Sequence, residues 1–318
     1  MERLAVDSIL DNTETDFDLY LEVGDELTLY AKSPYKWAKA ELSRLLAAGH
    51  TSFYYSTADR VKVEAFQALQ AIPQVDMSLP PMERVLNLTD VAAEMTRVLY
   101  EHPMTVAAVN KGEEVAQQMV QTIQEDIHCI AAIGSLANHD YYTYYHSARV
   151  AAYATAIALQ LSARDEQTLR DLAVGCLFHD VGKSKIDVAV LNKRGAFTDA
   201  EWEMMKKHPE FGDELVGDSL LSAVPRGIVL HHHERFDGSG YPHGLMKNEM
   251  LEEVKIAAFA DVFDALTTNR PYQVKRTRYE ALDLIRHKML ANLHRESYVA
   301  MVEILGLDPA TGKKKVEE

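Results

Sequence analysis

The sequence predicts a mainly α protein, in which a C-terminal helical bundle follows a small N-terminal α+β domain. Three observations carry this. From about His139 onward, apolar residues recur at the spacing of one helix face in segment after segment, and strand signals are sparse. Before about Ala71 the pattern is different, with short alternating runs divided by a glycine turn. Histidines and carboxylates able to act as ligands are concentrated in the helical part, where a bundle interior can gather them from several helices.

In the N-terminal part, Asp16 to Val23 alternates with Phe17, Leu19 and Leu21 on one face, and Glu26 to Ala31 reads as a second strand. Gly24-Asp25 between them is a hairpin signal. Trp37 to Leu46 has helical spacing and stops near Gly49, and Thr51 to Tyr55 reads as another strand. Ile72 to Pro81 is a proline-containing connector. Helices are then expected over Met82 to His102 and Gly112 to Leu136. The bundle should contain Tyr144 to Leu161, Glu166 to Leu177, Asp199 to Lys207, Asp213 to Ser219, Val224 to His233, Leu251 to Leu266 and Arg278 to Leu290. Gly312 to Glu318 reads as a frayed tail. The expected organisation is a regulatory or interaction domain over 1–75, a helical connector over 76–138 and a helical domain over 139–318.

Composition narrows the function classes. The formal net charge is -15, a surface that repels nucleic-acid polymers, so neither DNA nor RNA is an expected partner. A small phosphorylated ligand is still allowed, because bound metal ions reverse the local field. Cys129 and Cys176 make no disulfide framework and fit a reducing compartment. The first residues, Met1 to Asp7, carry early acidic residues and no apolar core, unlike a signal peptide. No apolar run approaches the roughly 20 residues of a membrane helix. A cytoplasmic protein without a membrane segment is expected.

The chemistry is concentrated in two runs. His231-His232-His233-Glu234-Arg235-Phe236-Asp237-Gly238-Ser239-Gly240-Tyr241-Pro242 puts adjacent imidazoles before a glycine-rich turn. Histidine is the commonest nitrogen ligand for metals. His179-Asp180 adds a nitrogen ligand and a carboxylate that can bridge two ions, and Lys183 follows one turn on as a cation suited to a phosphate oxygen. The pair of runs suggests a two-metal hydrolase of a phosphate ester. Taken singly, His146 reads as a hydrogen-bonded core residue and His208 as a surface or capping one. Asp261 lies in the apolar run Ala257 to Leu266, where an isolated charge is prohibitive; its partner is either a metal or an arginine such as Arg270. Asp264, one turn on, can accept from a ligand histidine.

In order along the chain, His146-Ser147-x-x-Val150, His179-Asp180-Val181-Gly182-Lys183, His208-Pro209-x-x-Gly212, His232-His233-Glu234-Arg235, Asp237-Gly238-Ser239-Gly240-Tyr241-Pro242 and Ala260 to Leu266 with Arg270-Pro271-Tyr272 resemble the HD-GYP family, a branch of the HD phosphohydrolases. The resemblance spans roughly Asp140 to Tyr272. It implies an HD-type helical catalytic domain that hydrolyses cyclic di-GMP to pGpG and on to GMP, using two divalent metal ions, usually iron and sometimes manganese. It implies that His146, His179, Asp180, His208, His232, His233 and Asp261 are the metal ligands, with Asp180 bridging. Asp180 and Lys183 are then the catalytic pair, and Lys183, Gly240, Tyr241, Pro242 and Arg270 the substrate contacts. His231 is expected not to ligate.

Two positions depart from the family pattern. Some members carry a glutamate four residues before the first ligand histidine and bind three metals; Tyr142 stands there, so a binuclear site is expected. Many have lysine directly after Arg-Pro-Tyr; Gln273 stands there and removes one cation, which Lys275 or Arg276 can replace. Other readings are a non-catalytic cyclic di-GMP receptor, a hydrolase of another substrate such as a nucleotide or a different cyclic dinucleotide, and an interaction module that binds a GGDEF-type cyclic di-GMP synthase. A homodimer is a further expected partner state.

Overall fold

The computed structural model describes every residue except 103, 137–141, 163–164, 194, 269–275 and 308–318. The chain divides into two compact units: Met1–Gln74 with Arg97–Gly112, and Val75–Thr96 with Glu113–Glu318. Residues 76–138, expected as a connector, therefore contribute to both.

In the first unit, β1 (Glu2–Ala5), β6 (Ser52–Tyr55), β3 (Leu19–Val23) and β4 (Glu26–Ala31) form an antiparallel sheet in that spatial order. β2 (Glu14–Thr15) and β5 (Tyr35–Lys36) form a small second ladder. The Gly24-Asp25 hairpin is present, with Gly24 at φ 66°, and pairs Leu21 with Thr28. Leu19 and Leu21 face the core and Tyr20 the other side, as a period of two requires. α1 (Lys39–Ala47) and α2 (Arg60–Gln70) complete the unit. β1 and α2 were not expected from the sequence, although Val63, Phe66 and Leu69 of α2 are buried at spacings of three.

The second unit is helical. It contains parts of α3 (Pro81–Glu101) and α4 (Val106–Glu125), followed by α5 (Tyr142–Leu161), α6 (Glu166–Phe178), α7 (Val188–Leu191), α8 (Asp199–Met205), α9 (His208–Leu220), α10 (Ala223–His231), α11 (Glu252–Thr267), α12 (Arg278–Leu284) and α13 (Arg295–Ile304). One expectation needs correction: Gly112 to Leu136 is not a single helix. The Asp126 carboxylate accepts the His128 amide at 2.9 Å, an alternative to the helical pattern, and the chain continues in 3-10 turns over Ile127–Leu136. The helix expected over Arg278 to Leu290 likewise ends as α12 and continues in a wider turn over Ile285–Met289. α13 was unforeseen. The tail expected at 312–318 lies outside the described residues.

α5 is the central element. Val150 to Ala158 is buried on every side, and its many alanines let α6, α11 and α13 pack closely around it. α10 packs on both α6 and α9, and the turn after α6 packs on α9. Two glycines enable the contacts that α9 makes, Gly182 with the turn and Gly212 with α10. A Cβ on Gly182 would overlap His208 O and Gly212 N, and one on Gly212 would lie 2.8 Å from Val229 Cγ1. Gly182→Ala is therefore expected to cost about 1–3 kcal/mol, because backbone has to give way. Chemical denaturation would measure the loss, and an unchanged midpoint would contradict the close approach.

Candidate metal centre

Each expected ligand in the described part of the chain sits at a helix end or on a buried helix face. His179 is the residue that ends α6, and His232 ends α10. His208 opens α9 just after α8. His146 projects from α5, and Asp261 and Asp264 occupy one face of α11 at i, i+3. His146, His179, Asp180, His208, His232, Asp261 and Asp264 are all buried.

The two oxygens of Asp180 face different histidine sets. Its Oδ2 lies 3.4 Å from His179 Nε2 and 3.7 Å from His146 Nε2. Its Oδ1 lies 3.3 Å from His208 Nε2 and 3.8 Å from His232 Nε2. Asp261 spans the same two sets, with Oδ1 at 3.1 Å from His146 Nε2 and Oδ2 at 3.7 Å from His233 Nδ1. Two groups of side chains of metal-ligating type result: His146, His179 and Asp180, and Asp180, His208, His232 and His233.

The far side of each ring fixes its tautomer. His179 Nδ1 donates to Cys176 O at 2.7 Å, His208 Nδ1 to Met205 O at 2.8 Å and His232 Nδ1 to Val229 O at 3.0 Å. His146 Nδ1 donates to Asp264 Oδ2 at 2.7 Å. With Nδ1 donating outward, it is Nε2 of each of these rings that faces the centre. His208 Nε2 and His232 Nε2 then lie lone pair to lone pair at 3.2 Å, and His179 Nε2 is buried without a hydrogen bond. Such a contact needs a cation. Protons are a poor answer for three of the rings: burial lowers His208, His232 and His233 below the usual histidine range. Burial also opposes charge on His179, but Asp180 outweighs it and raises that ring. Burial pushes Asp180 and Asp261 up, yet neighbouring His179 and Lys183 for the first, and His146 and His233 for the second, hold both well below the carboxylate range. Ionised carboxylates beside His208, His232 and His233, the rings on which burial disfavours a proton, are a donor set suited to a divalent cation. The C-terminal ends of α6 and α10 add negative potential at the same place.

Asp264 anchors this arrangement. Besides His146 it accepts from Arg149 Nε at 2.6 Å and Nη2 at 3.0 Å. That it accepts from a histidine was legible in the sequence, and the histidine is His146; its pairing with Arg149 was missed. The signal existed, since an arginine inside the apolar run Ala148 to Ala152 needs a partner.

The glycine-rich loop is held from within. Buried Glu234 accepts the amides of His243 at 2.7 Å, Gly244 at 3.0 Å and Leu245 at 3.0 Å. Sequence reasoning missed this role. A Cβ on Gly240 would overlap Arg235 N and Glu234 Cα, so only glycine fits where the loop crosses its own start. Tyr241 is thereby set 4.8 Å from the His233 ring, and burial first, then Asp261 and Asp180, raise its hydroxyl so that it remains a donor. Glu234→Ala is expected to cost about 2 kcal/mol and to speed exchange of the 243–245 amides. Hydrogen exchange checks it; unchanged protection there would remove the anchor role.

The other expected site residues fall as follows. Lys183 Nζ lies 2.5 Å from Asp180 Oδ2. His231 stands apart from the cluster, with Nε2 3.0 Å from His243 Nδ1. Pro242 follows Tyr241 in the loop. Arg270, with Pro271, Tyr272, Gln273 and Lys275, lies outside the described residues.

A helical unit that gathers five histidines and a second aspartate around the shared Asp180 carboxylate has the build of a metal-dependent hydrolase of the His-Asp type. The chain belongs to the HD domain family, whose model matches residues 131–294, and its ordered motifs place it in the HD-GYP branch. It is 32% identical over 207 residues to the cyclic di-GMP phosphodiesterase PA4108 of Pseudomonas aeruginosa, covering 64% of this chain and 49% of that protein. It is 42% identical over 136 residues to the cyclic di-GMP phosphodiesterase response regulator RpfG of Xanthomonas campestris pv. campestris, covering 42% and 36%. It is 29% identical over 227 residues to the 3'3'-cGAMP-specific phosphodiesterase 3 of Vibrio cholerae, covering 68% and 49%. The chain thus matches half or less of the length of these relatives. Its fold is similar to that of Bd1817, a HDG"Y"P protein from Bdellovibrio bacteriovorus, with a TM-score of 0.62 at 19% identity over 96% of this chain and 99% of that one. Among the described residues no helix is long and apolar enough to cross a membrane.

Proposed function

We propose that this protein is a metal-dependent phosphodiesterase that hydrolyses cyclic di-GMP to pGpG or GMP. The observation that carries the reading is the division of Asp180: one oxygen faces His146 and His179, the other His208 and His232. His146, His179, Asp180, His208, His232, His233 and Asp261 would hold two divalent ions, iron or manganese. When bound, these ions supply Lewis acidity and a nucleophile from water at neutral pH.

The chain's own residues do the rest. Hydrolysis adds water across one phosphodiester: the phosphorus gains the water oxygen, its bond to a ribose oxygen breaks, and that oxygen takes up a proton. Lys183 sits beside Asp180 and is the cation suited to a phosphate oxygen there. Arg270 would bring a second positive charge. Gly240, Tyr241 and Pro242 would contact the substrate, with the Tyr241 ring 4.8 Å from His233 in support. Residues 1–75 would form the regulatory or interaction domain, 76–138 the connector and 139–318 the catalytic domain. A GGDEF-type synthase and a second copy of the chain are the proposed protein partners, in the cytoplasm.

The test is chromatography of cyclic di-GMP incubated with protein purified anaerobically and loaded with Fe(II) or Mn(II). pGpG or GMP as product supports the reading and identifies the productive metal. Metal-loaded protein that leaves cyclic di-GMP intact overturns it; nucleotide bound without turnover would then indicate a receptor, and 3'3'-cGAMP cleavage a different substrate.

A further inference from the structure

A path of aromatic rings leads from the metal centre to the surface. Tyr241 lies 4.8 Å from His233 at an interplanar angle of 30°. Trp202 meets Tyr241 at 6.3 Å and 80°, and Phe197 lies 6.4 Å from Trp202 at 20°. Trp202 is 45% exposed, whereas Trp37 is 1% exposed in the core of the first unit. An indole left in water two ring-to-ring steps from a ligand histidine gains by being covered.

The helix that carries Trp202 is braced at both ends. Thr198 and Glu201 form a reciprocal cap at the start of α8, and Lys193 pairs with Glu201. At the other end, Met205 O accepts from His208 Nδ1. Trp202 is therefore held in register with a ligand. Its near-perpendicular contact with Tyr241 makes a corner in which a flat ring can stack on one aromatic and meet the edge of the other.

A phosphodiester centre engages the sugar–phosphate ring, which all cyclic dinucleotides share. Selection among bases has to come from groups beyond the metal ligands and phosphate-binding cations. We propose that Trp202, backed by Phe197 and flanked by Tyr241, is the stacking platform for one purine of the cyclic dinucleotide. The assignment rests on the phosphodiester reading above, and it gives Trp202 a part in substrate binding and specificity rather than in chemistry.

The experiment combines steady-state kinetics with tryptophan emission on the full metal-loaded chain, comparing wild type, Trp202→Ala and Trp202→Phe. Stacking of one base predicts a KM for cyclic di-GMP raised about tenfold in Trp202→Ala, with kcat within about twofold and much of the loss restored by phenylalanine. Emission should be quenched saturably by cyclic di-GMP in the wild type, not by inorganic phosphate, and not in Trp202→Phe. Turnover with unchanged KM in Trp202→Ala and no quench overturns the platform and leaves the phosphodiesterase reading standing. Saturable quench from Trp202 without turnover supports the platform and overturns the catalytic reading. Neither quench nor turnover overturns both.

Discussion

Replacing Asp180 by alanine is expected to lower cyclic di-GMP turnover by at least about 10³-fold, the scale of losing a dominant electrostatic group from an active site. The cause is specific to its position. Asp180 is the carboxylate whose two oxygens each face a pair of histidines, with 3.3 Å to His208 on one side and 3.4 Å to His179 on the other. Without it, Lys183 also loses the carboxylate that neutralises it at 2.5 Å. The variant should bind substantially less metal when loaded anaerobically, as read by elemental analysis of the desalted protein. A variant with two ions per chain and wild-type turnover would remove Asp180 from the centre. Reduced metal with intact folding, shown by an unchanged far-ultraviolet spectrum, is the expected combination.

Asp264→Ala should damage both stability and metal retention. The side chain is fully buried, and removing it takes two hydrogen bonds from the Arg149 guanidinium, which is also buried. Breaking a buried ion pair from one side costs about 3–5 kcal/mol. His146 loses the acceptor that sets its ring, for which a 10- to 100-fold weaker metal affinity is the expected scale. A chelator competition measures the affinity, and urea unfolding the stability. The pH dependence gives an independent check. Burial raises Asp264, but Arg149 and His146 more than compensate and hold it at about 2 against an ordinary 3.8. A depressed carboxyl contributes stability above its unfolded pKa and loses it as pH falls through the folded one. The contribution, about 2 kcal/mol, should therefore be complete above pH ~4 and vanish toward pH ~2. The gap between wild type and variant should narrow over that window; a gap independent of pH would assign the loss to packing.

Much of this centre was legible because its chemistry is written in short strings. His179-Asp180 and His232-His233 are adjacent in sequence, and Asp261 stands out as a charge in an apolar helix. The helices themselves were legible from periodicity, from Tyr144 to Leu161 through Leu251 to Leu266. What was not legible depends on contacts between distant segments. Glu234 looks like any acidic residue after a histidine run; only the fold returns the chain so that three amides nine to eleven residues later meet it. Trp202 lies in an unremarkable polar helix, and its nearness to Tyr241 follows from the packing of the α8–α9 segment against the loop. The break at Asp126 shows the opposite failure. There a local side-chain hydrogen bond overrode a helical pattern that looked continuous.

Three of the histidines proposed as ligands also stop or follow their helices by bonding a carbonyl three residues back: His179 to Cys176, His208 to Met205 and His232 to Val229. Ligand and helix terminus are thus the same local structure, which has a consequence for insertions and deletions. One residue added inside α6 or α10 turns everything beyond it by about 100° and advances it by about 1.5 Å, aiming the imidazole away from its partners. One residue added in the connection between Asn192 and Phe197 leaves every helix phase intact. A scan of single-residue insertions should therefore divide the helical unit sharply into segments of fixed length and segments free to grow. The free segments are the places where a new module can be spliced in without unseating the centre.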